Sequence, residues 1–259
     1  MDKSYKPFAI NLAKRAGLII KDNFSLNMKR EHKNNGSFLT ETDKTINRLL
    51  VSEIKANYPN HGIITEEGDE EKRNSEIAWV CDPIDGTTAF SHGIPFSVIS
   101  IALVENGVSI LGVVYDPYMD RLFSAEKNNG AYLNNNIITV SKTVNFSEGV
   151  FNIEPKPHSA FNLYQVADHL SRTKARILKL NSTVYQGILV ALGESSAMLF
   201  AGKSPWDAAA VKIIVEEAGG KVTNLAGNEQ RYDGPINGII ASNGYMHDEL
   251  VSIVGKYKQ

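Results

Sequence analysis

Apolar residues recur at helical spacing in the first sixty positions of the chain. Within residues 5–27 this spacing predicts a first helix, whose apolar side carries Phe8, Leu12, Ala16, Ile19 and Ile20. A second helix is predicted to begin near Thr42 or Asp43, which are good capping residues, and to end at residues 58–60. The polar residues 29–37 between the two helices predict a loop.

From residue 62 the pattern changes to short runs rich in β-branched and aromatic residues, which predict strands. The runs are residues 62–65, 77–81, 96–104, 108–115, 121–125 and 131–133. Asn106-Gly107 and Asn129-Gly130 separate two pairs of these runs, and Asn-Gly in such a place is a strong hairpin signal. The charged residues 69–73 predict a solvated connection. We therefore expect residues 1–145 to form two helices followed by a mostly antiparallel sheet.

Past residue 145 the predicted strands alternate with predicted helices. The strands are residues 149–153, 176–180, 197–200, 221–225 and 238–242, and the helices are residues 159–171, 183–192, 206–218 and 245–257. This alternation predicts an α/β second half, residues 146–259. Since no flexible linker separates the halves, we expect them to pack closely with a functional site between them.

The composition narrows the possible functions. Of the 259 residues, 42% are hydrophobic and 22% are charged, and a net charge of −2 without a basic stripe disfavours a nucleic-acid polymer as partner. No run approaches the roughly 18 apolar residues of a membrane span, and the first residues lack the apolar core of a signal peptide. The single cysteine, Cys81, suits a reducing compartment and lies in an apolar run that predicts a buried thiol. We therefore expect a soluble cytoplasmic protein.

Candidate chemistry concentrates in residues 82–88, Asp-Pro-Ile-Asp-Gly-Thr-Thr, at the end of a predicted strand. Pro83 fixes φ and Gly86 permits a tight turn, so that the carboxylates of Asp82 and Asp85 can converge. The Ile84 carbonyl can then point into the gap between them. Converging oxygen atoms suit Mg²⁺, whereas an ordinary turn with solvated acids is the alternative explanation of these residues alone.

Further acidic residues lie at other strand ends or helix starts. Asp43 and Asp207 could simply cap helices, and Glu66-Glu67 could be solvated loop acids. Together, however, carboxylates that meet at one edge of a site would repel one another without cations. Two metal ions could relieve this repulsion and hold both the attacking and the leaving oxygen of a phosphoryl displacement. The helices beginning near Ser182 and Asp207 could offer backbone N–H groups to a phosphate.

Several segments resemble the inositol monophosphatase family, in order and spacing, over nearly the whole chain. They are residues 40–43 (Thr-Glu-Thr-Asp), 66–67 (Glu-Glu), 79–88 with the motif above, 206–210 (Trp-Asp-Ala-Ala-Ala) and 217–220 (Glu-Ala-Gly-Gly). The resemblance implies a layered α-β-α-β-α sandwich and Mg²⁺-dependent hydrolysis of a small phosphorylated metabolite, typically inhibited by Li⁺. It also implies two to three Mg²⁺ ions per site and a possible homodimer. Residues 33–36 resemble the family's mobile loop near a third, weaker metal.

By that resemblance, the first Mg²⁺ is bound by Glu66, Asp82 and the Ile84 carbonyl. Asp82, Asp85 and Asp207 bind the second, with Asp82 bridging the two.

The resemblance also implies the catalytic groups. Glu66 and Thr87 would position or deprotonate the attacking water, and Asp43 would support Thr87. The residues expected at the substrate and its phosphate are Asp85, Gly86, Thr87, Ser182 and Asp207. In this set the backbone of Gly86 and Thr87 would hold phosphate oxygens, and the Ser182 hydroxyl would meet the substrate.

Three departures from the family pattern leave the substrate open. Ala89 stands where Asn is usual, Asn181-Ser182 replaces a Gly-Thr or Gly-Ser pair, and Phe200 stands where inositol-preferring members often have Glu.

Inositol 1-monophosphate is the nominal substrate. The alternatives are 3′(2′),5′-bisphosphate nucleotidase, fructose-1,6-bisphosphatase and histidinol-phosphatase, and Phe200 with the residues around Tyr185 could stack a nucleotide base. A scaffold that binds metal or phosphate without turnover is the alternative of another class, against which the complete set of acidic ligands argues.

Overall fold

Two large β-sheets and their covering helices make up the part of the chain that the computed structural model describes, residues 4–26, 28–32, 38–68 and 75–259. The α-helices of these residues are α1 (Tyr5–Asn23), α2 (Glu41–Asn57), α3 (Thr87–Ser91), α4 (Leu163–Arg172), α5 (Thr183–Ala191), α6 (Ala209–Glu217) and α7 (His247–Gly255). The strands are β1 (Glu31–His32), β2 (Phe38–Leu39), β3 (Gly62–Thr65), β4 (Ile77–Asp85), β5 (Val98–Glu105), β6 (Val108–Asp116), β7 (Arg121–Glu126), β8 (Ala131–Leu133), β9 (Asn136–Ile137), β10 (Val150–Glu154), β11 (Arg176–Leu178), β12 (Ala197–Phe200), β13 (Lys221–Thr223) and β14 (Ile239–Ser242).

The second helix begins slightly earlier than the sequence predicts. Thr40, rather than Thr42 or Asp43, is the N-cap of α2, and its side chain accepts a hydrogen bond from the Asp43 backbone N–H. The Asp43 carboxylate accepts in return from the Thr40 backbone, which completes a capping box. The predicted first helix is confirmed as α1, although it ends at Asn23.

The predicted loop 29–37 is partly wrong, because β1 pairs with β2 as a short antiparallel ribbon. Residues 33–37 of that loop lie outside the described residues, as does the charged run 69–73.

Seven strands of the first half form one sheet in the order β3-β4-β5-β6-β7-β8-β9. Only the β3–β4 pair of this sheet is parallel, which confirms the mostly antiparallel sheet. Asn106 and Gly107, between β5 and β6, have φ values of 51° and 85°. A two-residue hairpin turn with positive φ at both positions matches the strand twist, which explains the Asn-Gly pair.

Residues 82–85 continue strand β4 instead of forming the predicted turn. Asp82 lies opposite Ser100 and Asp85 lies opposite Val98, so β4 uses three residue steps where β5 uses two. This extra residue is a β-bulge. Side chains three apart on a regular strand point to opposite faces, and the bulge cancels that alternation, so that the two carboxylates converge as expected.

The second sheet has the order β11-β10-β12-β14-β13, in which β11, β10 and β12 are mutually parallel. The predicted elements of this half are confirmed, and most of them have shorter bounds than predicted. Helix α4 begins later than residue 159 because the Asn162 side chain caps it, accepting from the Gln165 N–H at 3.2 Å. A 3₁₀ turn, Pro205–Asp207, precedes α6.

The layers follow from which face of each sheet is apolar. Helices α1 and α2 cover one face of the seven-stranded sheet, α5 and α6 lie between the sheets, and α4 and α7 cover the outer face of the second sheet. This arrangement confirms the α-β-α-β-α sandwich. The middle core contains Val80 and Phe123 from the first sheet and Met198 and Ile214 from the second half. The division at residue 145 stays a prediction.

Two smaller observations bear on the composition. Cys81 is buried in the core beneath α1 and α2, and burial raises the pKa of its thiol, as expected for a structural cysteine. Among the described residues, no helix has the length and apolarity needed to cross a membrane.

Candidate active site

A cavity of about 680 Å³ opens between the two sheets at the end of β4. Its lining includes most of the predicted site residues, which come from three separate stretches of the chain. They are Glu66, Asp82, Ile84, Asp85, Gly86, Thr87 and Asp207. Asp43 and Ser182 do not line the cavity; both are buried behind it.

Three of the four predicted carboxylate ligands converge in this cavity. Asp82, Asp85 and Asp207 each offer an oxygen, and these oxygens all lie within 4.8 Å of one another. Asp82 and Asp85 are buried and Asp207 is half-buried. Glu66, at the end of β3, lines the same cavity but lies outside this group of three.

The electrostatics of the three aspartates favour a cation. Burial is the main cause that raises the pKa of Asp82 well above its usual range, and the charges of Glu66, Asp85 and Asp207 raise it further. Burial likewise raises the pKa of Asp207, with Asp85 and Glu66 adding to the effect and Lys156 opposing it. Buried carboxylates that repel one another are stabilised in their charged form by a metal ion, and an all-oxygen set suits a hard cation. The donor set therefore fits a hard divalent metal.

The third aspartate is held by the first turn of α5. Asp85 accepts hydrogen bonds from the Ser182 hydroxyl, the Thr183 N–H at 3.0 Å and the Val184 N–H at 3.1 Å. Burial raises the pKa of Asp85 to about 6, and these hydrogen bonds oppose the rise. Asp85 is therefore the easiest of the three to ionise in the absence of a metal.

This contact corrects two predictions about the start of α5. The N–H groups that were expected to receive a phosphate donate to Asp85 instead. Ser182 is fully buried and its hydroxyl also donates to Asp85, so its role in the structure is to position the carboxylate rather than to meet the substrate. Asn181, just before it, has a φ of 56°, a left-handed conformation that asparagine tolerates better than most residues.

A second chain of hydrogen bonds joins α2 to α3. The Thr87 hydroxyl lies 2.9 Å from the Ile84 carbonyl oxygen and 3.2 Å from Asp43 Oδ1, and it can donate to either. Asp43 Oδ2 accepts from the backbone N–H and the hydroxyl of Thr40 at 2.8 Å and 2.5 Å. Asp43 is thus both part of the helix cap and the partner of Thr87, so the two explanations considered for it are compatible.

Glycine is required at position 86. Its φ is 90°, and a β-carbon there would lie 2.8 Å from the Phe96 carbonyl oxygen and 3.2 Å from Ser182 Cβ. The close approach brings α5 against the β4–α3 connection, which lets Ser182 reach Asp85.

The cavity also contains residues that the sequence reasoning missed. Glu154, Lys156, Lys179 and Lys203 line its wall on the side of the second sheet. Each lies within three residues of the end of a predicted strand. Ligands of α/β sheets bind at the carboxyl ends of the strands, so this position was the signal that could have found them.

The predicted platform for a nucleotide base is absent. Phe200 is only 1% exposed, because Gly202 packs so closely on its ring that a β-carbon there would lie 2.0 Å from Phe200 Cζ. Tyr185 is buried away from the cavity, where its hydroxyl donates to Asp116 at 3.0 Å and accepts from Arg121 at 3.3 Å. Neither ring presents a free face for stacking.

The whole chain also matches known proteins. A model described as the inositol monophosphatase family matches residues 1–259. The chain is 32% identical over 255 residues to a histidinol-phosphatase of Chlorobaculum parvum, covering 95% of each chain. It is 36% identical over 218 residues to a fructose-1,6-bisphosphatase/inositol-1-monophosphatase of Thermotoga maritima, covering 84% of this chain and 82% of the relative. The solved structure of a T. maritima IMPase superposes with a TM-score of 0.89 at 33% identity, covering 99% of this chain and 98% of the other.

Proposed function

Since the chain belongs to the inositol monophosphatase family and is a metal-dependent phosphomonoesterase, we propose that its metal is Mg²⁺ and its nominal substrate inositol 1-monophosphate. The observation that carries the choice of metal is the convergence of three carboxylate oxygens within 4.8 Å. Sulfur and nitrogen ligands are missing from the described lining except for His158, and Mg²⁺ prefers oxygen ligands.

Two groups of residues would hold the metal. Asp82, Asp85 and Asp207 form one set, and Glu66 with Asp82 and the Ile84 carbonyl forms the other, so that two to three ions are part of the proposal. Bound Mg²⁺ supplies a Lewis acid for the phosphoryl oxygens and lowers the pKa of a bound water.

The chain's own residues would orient the reactants. When the Thr87 hydroxyl donates to Asp43 or to the Ile84 carbonyl, its oxygen lone pairs remain free to accept a hydrogen bond from water. Glu66 is the half-buried carboxylate placed to take the proton of that water, and the Gly86 and Thr87 N–H groups would hold the phosphate. The water oxygen would bond to phosphorus as the bond to the alcohol oxygen breaks. One water proton would pass to Glu66, and the alcohol oxygen would take up a proton from solvent, so that the alcohol and inorganic phosphate are released.

A scaffold without turnover is disfavoured by the integrity of this site. The proposed carboxylate ligands and the Thr87 hydroxyl line one cavity, and none of these residues is replaced by one of other chemistry. They are Glu66, Asp82, Asp85, Thr87 and Asp207. A homodimer, a cytoplasmic location and inhibition by Li⁺ are further parts of the proposal that rest on the family alone.

The raised carboxyl pKa values predict how Mg²⁺ stabilises the protein at different pH. A carboxyl whose pKa is raised in the fold contributes stability that is present at low pH and is lost as the pH rises through its folded pKa, about 6 for Asp85. Mg²⁺ requires the charged form and relieves the repulsion. The Tm in Mg²⁺ and the Tm in a chelator are compared by thermal unfolding. The difference between them should therefore grow between pH 5 and pH 8. A difference that is constant or shrinks with pH would contradict the metal assignment.

Loss of the Ser182 hydroxyl should weaken the site without removing a metal ligand. In Ser182→Ala, the Asp85 pKa rises further because one of its donors is lost, and the Mg²⁺ concentration for half-maximal phosphate release should rise about 10-fold. The effect should be larger at pH 6 than at pH 8. Ser109→Ala is the control, because Ser109 is a buried serine of β6 outside the cavity. An unchanged Mg²⁺ requirement in Ser182→Ala would contradict its positioning role.

A substrate panel tests the proposed function directly. Phosphate release is measured in Mg²⁺ with inositol 1-monophosphate, fructose 1,6-bisphosphate, adenosine 3′,5′-bisphosphate and histidinol phosphate. Mg²⁺-dependent turnover of inositol 1-monophosphate supports the nominal assignment, and turnover of another member alone replaces it. A tenfold preference in kcat/KM corresponds to only about 1.4 kcal/mol, which a few side chains of the cavity wall can supply.

A further inference from the structure

Three lysines follow the carboxyl ends of three neighbouring strands of the second sheet. Lys179 directly follows β11, Lys156 comes two residues after the end of β10, and Lys203 comes three residues after the end of β12. All three line the cavity.

The sheet topology explains why these side chains meet. Strands β11, β10 and β12 are adjacent and parallel, so their carboxyl ends lie at the same edge of the sheet. Neighbouring strands are about 4.8 Å apart, so the three ends span about 10 Å. This edge faces the cavity that also contains the carboxylates of Asp82, Asp85 and Asp207.

Ion pairs neutralise little of the charge of these lysines, although the Lys156 ammonium also acts on Asp207 across the cavity. Within the described part of the chain, Lys156 and Lys203 form no ion pair, and the Lys179 ammonium lies 3.9 Å from Glu154 Oε1. The Lys156 ammonium lies 5.7 Å from the centre of the Phe200 ring. One wall of the cavity therefore carries three ammonium groups against one carboxylate.

We propose that Lys156, Lys179 and Lys203 form a second anion-binding site in the cavity. Resting on the proposed phosphatase function, this site defines the preferred substrate class as phosphomonoesters whose alcohol carries a second phosphate or carboxylate. When the reacting phosphate of such a substrate lies at the metal side, its second anion would face the ammonium groups of this wall. A cavity of about 680 Å³ has room for both anionic groups.

The same wall discriminates against the other candidate leaving groups. A neutral polyol such as inositol gains no charge attraction from ammonium groups. An alcohol that carries a protonated amine, such as histidinol, is repelled by them. The proposed ranking is therefore bisphosphate above inositol monophosphate above histidinol phosphate.

The test uses two substrates that share the reacting phosphate and differ in the second one, fructose 1,6-bisphosphate and fructose 1-phosphate. The quantity compared is the ratio of their kcat/KM values in Mg²⁺, which cancels effects on the shared phosphate. We expect a ratio of about 10 or more in the wild-type protein, because each exposed ammonium contributes about a threefold preference. The ratio should fall as the salt concentration rises, since exposed charges are screened.

Charge removal then assigns the preference to these residues. Each single change, Lys156→Gln, Lys179→Gln and Lys203→Gln, should lower the ratio about threefold, and the triple variant should bring it close to 1. The corresponding lysine-to-arginine variants should keep it. Lys142→Gln, an exposed lysine outside the cavity, is the matched control and should leave the ratio unchanged.

Failure of this proposal and failure of the phosphatase function give different results. A ratio near 1 in the wild-type protein, or one that the triple variant keeps, overturns the second anion site while turnover persists. If no phosphomonoester is hydrolysed, the proposed function fails, and the same two ligands are titrated by calorimetry into the Mg²⁺-loaded protein. Tighter binding of the bisphosphate that is lost in the triple variant then supports the site, and equal binding overturns it.

Discussion

Replacing Asp82 by asparagine is expected to lower kcat/KM for Mg²⁺-dependent phosphate release at least about 1,000-fold, or ~4 kcal/mol. Asp82 is the proposed ligand shared by both metals, and an amide lacks the charge that holds them. The same change should raise the Tm of the metal-free protein at pH 8, by about 2–4 °C for each 1 kcal/mol gained in a chain of this size. The reason is that Asp82 is buried among carboxylates, which disfavour its charge.

Phosphate release and thermal unfolding in a chelator measure the two halves of this prediction. An active Asp82→Asn protein would contradict the metal assignment. A metal-free variant that unfolds at a lower Tm than the wild type at pH 8 would contradict the proposed repulsion. At pH 4 the difference in Tm should shrink, because the wild-type carboxyl is then protonated.

Asp85→Asn is expected to abolish phosphate release to a similar extent and to leave the fold intact. Its effect on the stability of the metal-free protein should be smaller than that of Asp82→Asn. The first turn of α5 and Ser182 donate hydrogen bonds to the Asp85 carboxylate and offset part of its burial, whereas Asp82 accepts from the Ile84 N–H at 3.0 Å.

The order of the two Tm values is therefore the specific outcome. In a chelator at pH 8, Asp82→Asn should unfold at the higher temperature. The reverse order would show that the α5 contacts do not support Asp85 as the structure indicates. Undiminished turnover in Asp85→Asn would contradict the assignment of two metals to the site.

Local sequence predicted the centre of the site well. The proline, glycine and spacing of residues 82–88 indicated that Asp82 and Asp85 converge, although a bulge in β4 does this rather than a turn. A bulge and a turn both bring side chains three residues apart to one face. The local sequence therefore predicts that the two carboxylates converge, but it does not distinguish a bulge from a turn. The capping role of residues 40–43 was likewise visible, with Thr40 as the cap instead of Thr42 or Asp43.

Contacts between distant segments were less predictable. Ser182 and Asp85 are separated by 97 residues. No local sequence pattern shows that the start of a helix in the second half will donate hydrogen bonds to a carboxylate of the first sheet. The same holds for Phe200, the last residue of a predicted strand, which was expected to be able to stack a nucleotide base but is buried by its packing on Gly202. Tertiary packing decides such contacts.

The lysines lie between these two cases. Each lies within three residues of the end of a predicted strand, but that the three strands are adjacent and parallel emerges only from the sheet order β11-β10-β12. Once that order is known, the same strand-end argument that located the acidic residues locates Lys156, Lys179 and Lys203 on the opposite wall. The acidic side accounts for the reaction, and the basic side accounts for the proposed choice of substrate.

The most direct test of the central claim is a titration of metal-stripped wild-type protein with Mg²⁺. Orthophosphate release is followed from inositol 1-monophosphate and from fructose 1,6-bisphosphate. The proposed site predicts no release in chelator and a saturable recovery as Mg²⁺ is added, with Asp82→Asn remaining inactive throughout. Release that continues undiminished in chelator, or the hydrolysis of neither substrate at any Mg²⁺ concentration, would contradict it.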